Sequence, residues 1–344
     1  MQVVQVMKYG EPEALEPHIV PDPVPGEQEV VVRIHAAGIN FADILMRLGL
    51  YAGTPKPPFV PGLEVAGTVE RLGKGVGPEV KVGQRVMALT FGGGYAEKIR
   101  LPADRLIPVP KKMSLEEAAA LPVNYLTAYQ ALTYMAHLRS GERLLIHAAA
   151  GGVGLAAIQL AKLAGAEIFG TASEPKHDFL YQQGVDHAID YRNEDFEKEV
   201  RRLTKGEGVD VILDAVGAQS YRKGYRLLRH GGRLICYGLS AAVTGKGRTV
   251  RAVGAWWNTP SFNAIDLIGK NRTVIGVHLG TLGRARPELV RSWTEELFRL
   301  YAAGKIKPHI GMTFPLAEAA AAHHYIHDRK NIGKVLLLPD IQAS

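Results

Sequence analysis

The chain is almost without cysteine: Cys236 is the single one among 344 residues. One thiol excludes a small scaffold stapled by disulfides, and it also excludes zinc sites built from several thiolates. Scarce cysteine is typical of a reducing compartment. We therefore expect a cytoplasmic protein that is stabilised by a hydrophobic core rather than by cross-links.

Long apolar runs and concentrated charge are lacking as well. No stretch approaches the roughly twenty apolar residues that cross a bilayer, and the first residues show no signal-peptide core. We expect no integral membrane segment. The net charge of +7 is spread along the chain, without a basic block interleaved with aromatic residues. RNA binding is therefore not supported, although the sequence leaves it open.

The most informative stretch that is present is a glycine-rich turn between an apolar strand and a helix. Residues 143–147 predict the strand, and residues 155–163 carry apolar residues at helical spacing. Between them, Ala149, Gly151 and Gly154 occupy the three places where a dinucleotide loop needs small residues. Free N–H groups at the start of the helix favour an anion. The pattern predicts a pyrophosphate-binding loop, and an ordinary glycine-rich turn is the alternative.

Apolar strands continue to alternate with helical patterns after this loop. The alternation predicts a parallel sheet covered on both faces, which is the arrangement of a doubly wound dinucleotide fold. The predicted strands comprise residues 143–147, 167–171, 187–190, 209–215, 233–237 and 273–279, and a further helix is predicted over residues 175–183.

The end of the second predicted strand indicates which dinucleotide binds. An acid at this place would hydrogen-bond the 2′-hydroxyl of the NAD ribose. The chain has Ala172 and Ser173 there instead, with Lys176 one helical turn further on. A hydroxyl and an ammonium suit a 2′-phosphate, so we predict NADPH. Glu174 and Asp178 are the competing acids, but acids at helix starts are common for dipole reasons alone.

The first part of the chain has a different pattern. Residues 27–35 and 64–70 alternate like strands, and proline and glycine interrupt the chain between them. Residues 287–303 predict an amphipathic helix, and residues 334–338 predict a closing strand. We therefore predict an α/β protein with two domains. The β-rich domain comprises residues 1–122 and 284–344, and the dinucleotide domain comprises residues 123–283.

Motifs along nearly the whole chain resemble the medium-chain dehydrogenase/reductase superfamily. Residues 37–43, 47–51 and 61–67 are similar to its N-terminal domain, and residues 141–162 are similar to the signature of its quinone oxidoreductase and zeta-crystallin branch. The resemblance implies a GroES-like catalytic domain joined to a Rossmann domain. Within the branch, the following segments are most similar to the VAT-1 (synaptic vesicle membrane protein) subgroup: residues 124–129, 170–173, 256–258, 276–280, 306–310 and 330–335.

The same resemblance shows where zinc ligands are missing. Zinc-dependent members carry a cysteine at the place of Asn40 and a histidine at the place of Leu63, and they add a four-cysteine lobe. We therefore expect no metal, and Glu64 keeps only a structural role. The histidines within residues 323–327 follow the surface of a predicted helix and offer no replacement site.

Without a Lewis acid, alcohol oxidation by the superfamily's usual route is disfavoured. Electron-poor acceptors need less stabilisation, so we expect NADPH-dependent reduction of a quinone or an α,β-unsaturated carbonyl by hydride transfer in the cleft between the domains. A 2-alkenal or enoyl reductase differs only in its acceptor. The alternative from another class is a VAT-1-like scaffold or lipid-interacting protein that binds NADPH with little turnover.

The resemblance also assigns roles to residues. Asn40 and Thr127 lie near the nicotinamide, and Tyr51 lies on the acceptor side, where it either donates a hydrogen bond or stacks on the substrate. Family habit implies a homodimer joined through the sheet edges of the dinucleotide domains. The implied cofactor-binding residues are Asn40 and Thr127 at the nicotinamide, Ala149, Gly151, Gly152, Val153 and Gly154 at the pyrophosphate, Ser173, Lys176 and Tyr191 at the 2′-phosphate and adenine, Tyr237 at the ribose and nicotinamide, and Asn331 from the C-terminal segment.

Overall fold

The computed structural model describes residues 1–242 and 259–339. The chain divides into two compact units. The first unit comprises Met1–Val123 and Lys307–Ser344, and the second comprises Asn124–Ile306. The tryptophan motif at residues 256–258 lies outside the described residues. Within the described part, no helix is both long enough and apolar enough to cross a membrane.

Strands dominate the first unit, whereas strands and helices alternate in the second. The strands of the described residues are, in chain order, β1 (Gln2–Val6), β2 (Leu15–Ile19), β3 (Glu29–Ile39), β4 (Glu64–Leu72), β5 (Arg85–Leu89), β6 (Lys98–Pro102), β7 (Ile107–Pro108), β8 (Arg143–Ile146), β9 (Glu167–Ala172), β10 (His187–Asp190), β11 (Val209–Asp214), β12 (Leu228–Cys236), β13 (Thr273–Gly276), β14 (Ile310–Pro315) and β15 (Lys334–Leu338). The α-helices are α1 (Phe41–Arg47), α2 (Leu115–Ala120), α3 (Pro122–Ala128), α4 (Gly152–Ala164), α5 (His177–Gln183), α6 (Phe196–Leu203), α7 (Gln219–Leu227), α8 (Ala264–Lys270), α9 (Leu279–Ala285), α10 (Pro287–Ala302) and α11 (Ala319–His327), and a π-helix spans Tyr129–Met135.

The first unit is built on a seven-stranded sheet. Its order is β14-β15-β3-β4-β5-β7, with β6 also paired to β3. The pairings are antiparallel except that of β14 with β15, and β1 and β2 form a separate antiparallel pair. The strands predicted at residues 27–35, 64–70 and 334–338 are confirmed as β3, β4 and β15, whose apolar residues fill the core of this unit.

The second unit is built on six parallel strands in the order β10-β9-β8-β11-β12-β13. Counted from β8, this is the order 3-2-1-4-5-6 of a doubly wound fold, so that prediction is confirmed. β8 and β11 are neighbours in the sheet although β9 and β10 lie between them in the sequence. The strand order therefore reverses at this pair. Ligands of such folds bind outside the carboxyl ends of the strands at the reversal.

Element boundaries differ from the prediction where a cap decides them. α4 begins at Gly152, earlier than predicted, because Gly151 adopts the extended cap conformation and the glycines themselves form the first turn. β13 ends at Gly276, earlier than predicted, because the side chain of His278 caps the helix that follows. Hydrophobic spacing alone does not locate such ends.

Helix α10 belongs to the second unit. Trp293 on this helix contacts the rings of Tyr129 and Tyr134 in the π-helix, with ring centroids 5.8 and 4.9 Å apart. The predicted dinucleotide domain ends at residue 283, whereas the second unit continues through α10 to Ile306. An amphipathic pattern predicts a helix but not the core on which it packs.

Candidate functional site

The glycine-rich loop joins β8 to α4 through a residue with an unusual backbone. Ala148 has a φ of 54°, which lies in the left-handed region that favours glycine. The loop is closed by hydrogen bonds from Gly151 N to Ala148 O at 2.9 Å and from Ala149 N to Thr171 O at 3.0 Å. The chain therefore turns sharply at Ala148, where the predicted pyrophosphate-binding loop begins.

Close packing requires two glycines of this loop. A Cβ built on Gly154 would lie 2.6 Å from the Ala148 carbonyl oxygen, and one built on Gly152 would lie 2.8 Å from Cγ of the buried Asn124. Ala149 is fully buried. The first N–H groups of α4 have no carbonyl partner within the helix. The loop thus combines small residues with an open helix start, and these residues fit a pyrophosphate.

The end of β9 presents a hydroxyl and an ammonium. Ser173 is buried and precedes a short 3₁₀ turn, and Lys176, at the end of that turn, is half-buried. The competing acids Glu174 and Asp178 are both exposed. This arrangement suits a 2′-phosphate better than a 2′-hydroxyl, because an ammonium strengthens a hydrogen bond to phosphate.

Neighbouring strand ends bring further predicted cofactor residues to the same edge of the sheet. Ala172 pairs with Asp190 in the parallel register of β9 and β10, so Ser173 and Tyr191 follow at adjacent positions. Tyr237 follows β12, and its N–H donates to the carbonyl oxygen of the last residue of β11 at 3.1 Å. Burial raises the pKa of Tyr237, so its phenol stays protonated and able to donate a hydrogen bond.

A second group of polar side chains is buried in the first unit. Lys334 Nζ donates to Asn40 Oδ1 at 2.7 Å and forms an ion pair with Glu64. Asn40 Nδ2 in turn donates to Glu64 Oε1 at 2.9 Å. We call Asn40, Glu64 and Lys334 the buried triad. Its members come from β15, β3 and β4, or from the residue that directly follows, and these strands are neighbours in the sheet.

The buried triad uses the hydrogen-bonding capacity of its members. Glu64 Oε2 accepts from Val123 N at 2.7 Å, so both oxygens of this carboxylate are engaged, in the structural role expected of it. The Asn40 amide has partners on its oxygen and on its nitrogen. A Cβ built on Gly38 would lie 2.7 Å from both Glu64 Cγ and Lys334 Cε. The structure therefore gives Asn40 a fixed position, and its contact with nicotinamide stays a prediction.

Asp43 lies beside the buried triad and is itself fully buried. Its carboxyl accepts hydrogen bonds from Asn40 N at 2.8 Å and from Gly62 N at 3.0 Å. Burial raises the pKa of Asp43 to about 7, although these N–H groups and the charge of Lys334 oppose the rise. Asp43 therefore changes its charge near neutral pH.

The expectation that the histidines of residues 323–327 lie on a helix surface is wrong for His323. Its side chain is fully buried, and its Nε2 lies 2.9 Å from the hydroxyl oxygen of the buried Tyr95. Burial lowers the pKa of His323 well below its usual value, so the imidazole is neutral. Helical spacing does not tell which of several close histidines faces inward.

The chain is similar in sequence and fold to known proteins. The family described as alcohol dehydrogenase GroES-like domain matches residues 26–111, and the one described as zinc-binding dehydrogenase matches residues 183–337. The chain is 43% identical over 319 residues to the synaptic vesicle membrane protein VAT-1 homolog of Mus musculus, covering 92% of this chain and 78% of that protein. It is 33% identical over 351 residues to a quinone oxidoreductase of Pongo abelii, covering 98% of each. The chain belongs to the medium-chain dehydrogenase/reductase superfamily.

This medium-chain dehydrogenase/reductase falls in the quinone oxidoreductase-like branch and is similar to VAT-1 homologues, as its motifs predict. A solved structure of Escherichia coli quinone oxidoreductase in complex with NADPH superposes with a TM-score of 0.85 at 32% identity, covering 98% of this chain and 100% of that one. These matches confirm the GroES-like domain and the Rossmann-type sheet.

One of the two matching families is described as zinc-binding, but this description does not show that the chain binds zinc. Within residues 1–242 and 259–339, no three His, Cys, Asp or Glu side chains form a group that could hold a metal ion. At Asn40, the neighbouring Glu64 carboxylate is already paired with the ammonium of Lys334. Independence from zinc stays a prediction.

The remaining predicted residues are divided between the two units of this dehydrogenase/reductase. Thr127 is buried in α3, and Val153 is half-buried in the first turn of α4. Tyr51 is half-buried and packs against the apolar core of the first unit. Asn331 belongs to the same unit, and its Nδ2 donates to Gly333 O at 3.3 Å. Their contacts with cofactor or substrate stay predictions.

Three residues that contact predicted site residues are not themselves predicted from the sequence. They are Thr171, which binds Ala149 N, Asp214, whose carbonyl oxygen accepts from Tyr237 N, and Lys334 of the buried triad. Lys334 had a usable signal, because a lysine that opens an otherwise apolar strand needs a buried partner. Asp214 had a weaker one, since it ends a buried strand with an acid. Thr171 resembles any other strand threonine and had none.

Proposed function

We propose that the chain is an NADPH-dependent oxidoreductase that reduces quinones or related α,β-unsaturated carbonyls by hydride transfer. The observation that carries this proposal is the end of β9, where Ser173 and Lys176 replace an acid beside the glycine-rich loop. An ammonium complements a 2′-phosphate, whereas an acid would repel it. The Escherichia coli quinone oxidoreductase, solved with NADPH, supports the same coenzyme.

Different residues of the second unit bind different parts of the coenzyme. The N–H groups of Gly152 and Val153, at the start of α4, bind the pyrophosphate. Ser173 and Lys176 bind the 2′-phosphate, and Tyr191 stacks on the adenine. When bound, NADPH supplies the hydride.

The acceptor oxygen needs a hydrogen bond that Asn40 is not free to give. The two N–H groups of the Asn40 amide donate to Glu64 Oε1 at 2.9 Å and to Gly38 O at 3.4 Å, and its oxygen accepts from Lys334. The family resemblance assigns this hydrogen bond to the hydroxyl of Tyr51, with stacking on the substrate as the alternative. A quinone or an enone delocalises the negative charge that develops during reduction, so it demands less stabilisation from the protein than an isolated carbonyl does.

Coenzyme titrations test the assignment of the 2′-phosphate site. Lys176→Met should weaken NADPH at least about tenfold and NADH less than about twofold, because only NADPH loses a charge partner. Lys198→Met, at an exposed lysine of α6, is the matched control and should change neither. Quenching of protein fluorescence measures both dissociation constants. Equal losses for the two coenzymes would contradict the assignment.

Oxidation of NADPH in the presence of a panel of 1,4-quinones and 2-alkenals tests the reaction itself. Faster turnover of quinones supports a quinone reductase, and faster turnover of alkenals supports an enoyl-type reductase. The second candidate function is an NADPH-binding scaffold or lipid-interacting protein, which the name of the VAT-1 homologues favours. Tight coenzyme binding without any acceptor-dependent oxidation would favour that function over the first.

We also propose a cytoplasmic homodimer joined through the edges of the second unit's sheet. In the described part of the chain β13 pairs only with β12, and an unpaired strand edge can join another strand. Sedimentation equilibrium should give twice the mass of one chain. A monomer at micromolar concentration would contradict the proposal, and fractionation of cells tests the location.

A further inference from the structure

The left-handed backbone of Ala148 needs a structural cause. This conformation is unfavourable for a residue with a Cβ, and it persists only where neighbouring groups hold it. Thr171, near the end of β9, provides two such groups. Ala148 N donates to Thr171 Oγ1 at 3.3 Å, and Ala149 N donates to Thr171 O at 3.0 Å. One residue of the neighbouring strand therefore binds two successive N–H groups of the glycine-rich loop.

The hydroxyl of Thr171 is oriented in turn by His147. The Nδ1 atom of this buried histidine lies 3.1 Å from Thr171 Oγ1, and its ring packs edge-on against Phe196 with centroids 4.5 Å apart. Burial lowers the pKa of His147, so the imidazole is neutral. Its Nε2 atom has no hydrogen-bond partner among the described residues and lies 3.9 Å from Asp214 Oδ2.

Asp214, near His147, is fixed by hydrogen bonds of its own. It accepts from two backbone N–H groups, at 2.7 and 3.1 Å, and from Ser220 Oγ at 2.6 Å. The hydroxyl of Thr171 is held between His147 Nδ1 and the backbone of the loop, and its oxygen accepts from Ala148 N.

We propose that Thr171 is a positioning residue for the pyrophosphate of a nicotinamide dinucleotide, and that it acts by holding Ala148 and Ala149 in the shape that opens the start of α4. This inference rests on the proposed function. The pyrophosphate is common to NADPH and NADH, so Thr171 affects both coenzymes equally. Lys176, in contrast, acts only where the 2′-phosphate is present.

Removing the hydroxyl of Thr171 at nearly constant volume tests the proposal. Thr171→Val lacks the hydroxyl, and Thr171→Ser keeps it. The dissociation constants of NADPH and NADH are measured by protein fluorescence, at a temperature below the unfolding midpoint of each variant without coenzyme. The valine variant should bind both coenzymes about tenfold more weakly with an unchanged ratio, and the serine variant should stay within about twofold of the wild type.

Each outcome decides for or against the proposal. Wild-type affinity in a folded Thr171→Val protein would overturn it, and so would a loss confined to NADPH. A lower unfolding midpoint with unchanged dissociation constants would show that Thr171 only stabilises the fold. If the valine variant does not fold, Thr171→Ala is measured instead and should show the same loss for both coenzymes. A wild-type protein that bound neither coenzyme would refute the proposed function first and this inference with it.

Discussion

The ion pair of the buried triad in the first unit and the ion pairs at one edge of the second unit's sheet lie in opposite environments. The interior of the first unit encloses ionisable side chains, among them Glu64 and Lys334 of the buried triad and the neighbouring Asp43. The ion pairs near the amino ends of the second unit's parallel strands lie at its surface, although this unit also buries Asp214. The ion pairs there join Arg143 to Glu167 and Glu207, and Arg229 to Asp210.

Buried and exposed ion pairs contribute differently to the stability of the fold. A buried ion needs its partner, because an unpaired charge in the interior is strongly unfavourable. Exposed ion pairs are screened by water and salt, and each contributes about 0–1 kcal/mol. We therefore expect the buried triad and Asp43 to be sensitive to substitution, and the ion pairs at the amino ends of the second unit's strands to be tolerant.

Breaking the buried triad should have the largest effect. Lys334→Met leaves Glu64 buried without its counterion, and we expect the free energy of unfolding to fall by about 3–5 kcal/mol. The double variant Lys334→Met with Glu64→Gln removes both charges and should recover a large part of that loss. Urea unfolding followed by circular dichroism measures all three proteins. Equal losses in the single and the double variant would contradict the coupling between the two residues.

A pH dependence that belongs to Asp43 should be the next largest effect. Folding raises the pKa of this carboxyl from 3.8 to about 7, chiefly through burial. Between these values the folded protein keeps a proton that the unfolded chain has released, so the free energy of unfolding falls as the pH rises and levels off above pH 7. Asp43→Asn should lack this slope.

The two proteins are compared by urea unfolding at a series of pH values, because all other titrating groups are common to both. Between pH 5 and pH 8 the wild type should lose on the order of 2 kcal/mol relative to Asp43→Asn. Parallel profiles for the two proteins would show that Asp43 does not titrate in this range.

Removing a surface charge of the second unit should have the smallest effect. Arg143→Met keeps the apolar stem of the side chain but loses the ion pairs with Glu167 and Glu207, at 3.0 and 2.6 Å. We expect the free energy of unfolding to fall by no more than about 1 kcal/mol, and the difference from the wild type to shrink in about 1 M salt. Coenzyme affinity should not change. A loss as large as that of Lys334→Met would remove the contrast between the buried and the exposed ion pairs.

Local patterns predict most of the fold and part of the candidate site. The glycine-rich loop, the parallel strands and the closing strand β15 follow from residues that are close in sequence, because hydrophobic period and turn chemistry are local properties. The buried triad does not, since Lys334 and Asn40 are 294 residues apart and meet only because β15 pairs with β3. The hydrogen bonds of Thr171 likewise depend on the register of β8 and β9.

Gly38 limits the amino-acid substitutions that the interior of the first unit can accept. Any larger residue there meets two of the three members of the buried triad. Residues 38, 40, 64 and 334 therefore form a coupled set that evolves, or is redesigned, as a unit. A combinatorial library that varies the four positions jointly would reach new interiors for this unit, whereas a scan of one position at a time leaves the other three residues set for the original one.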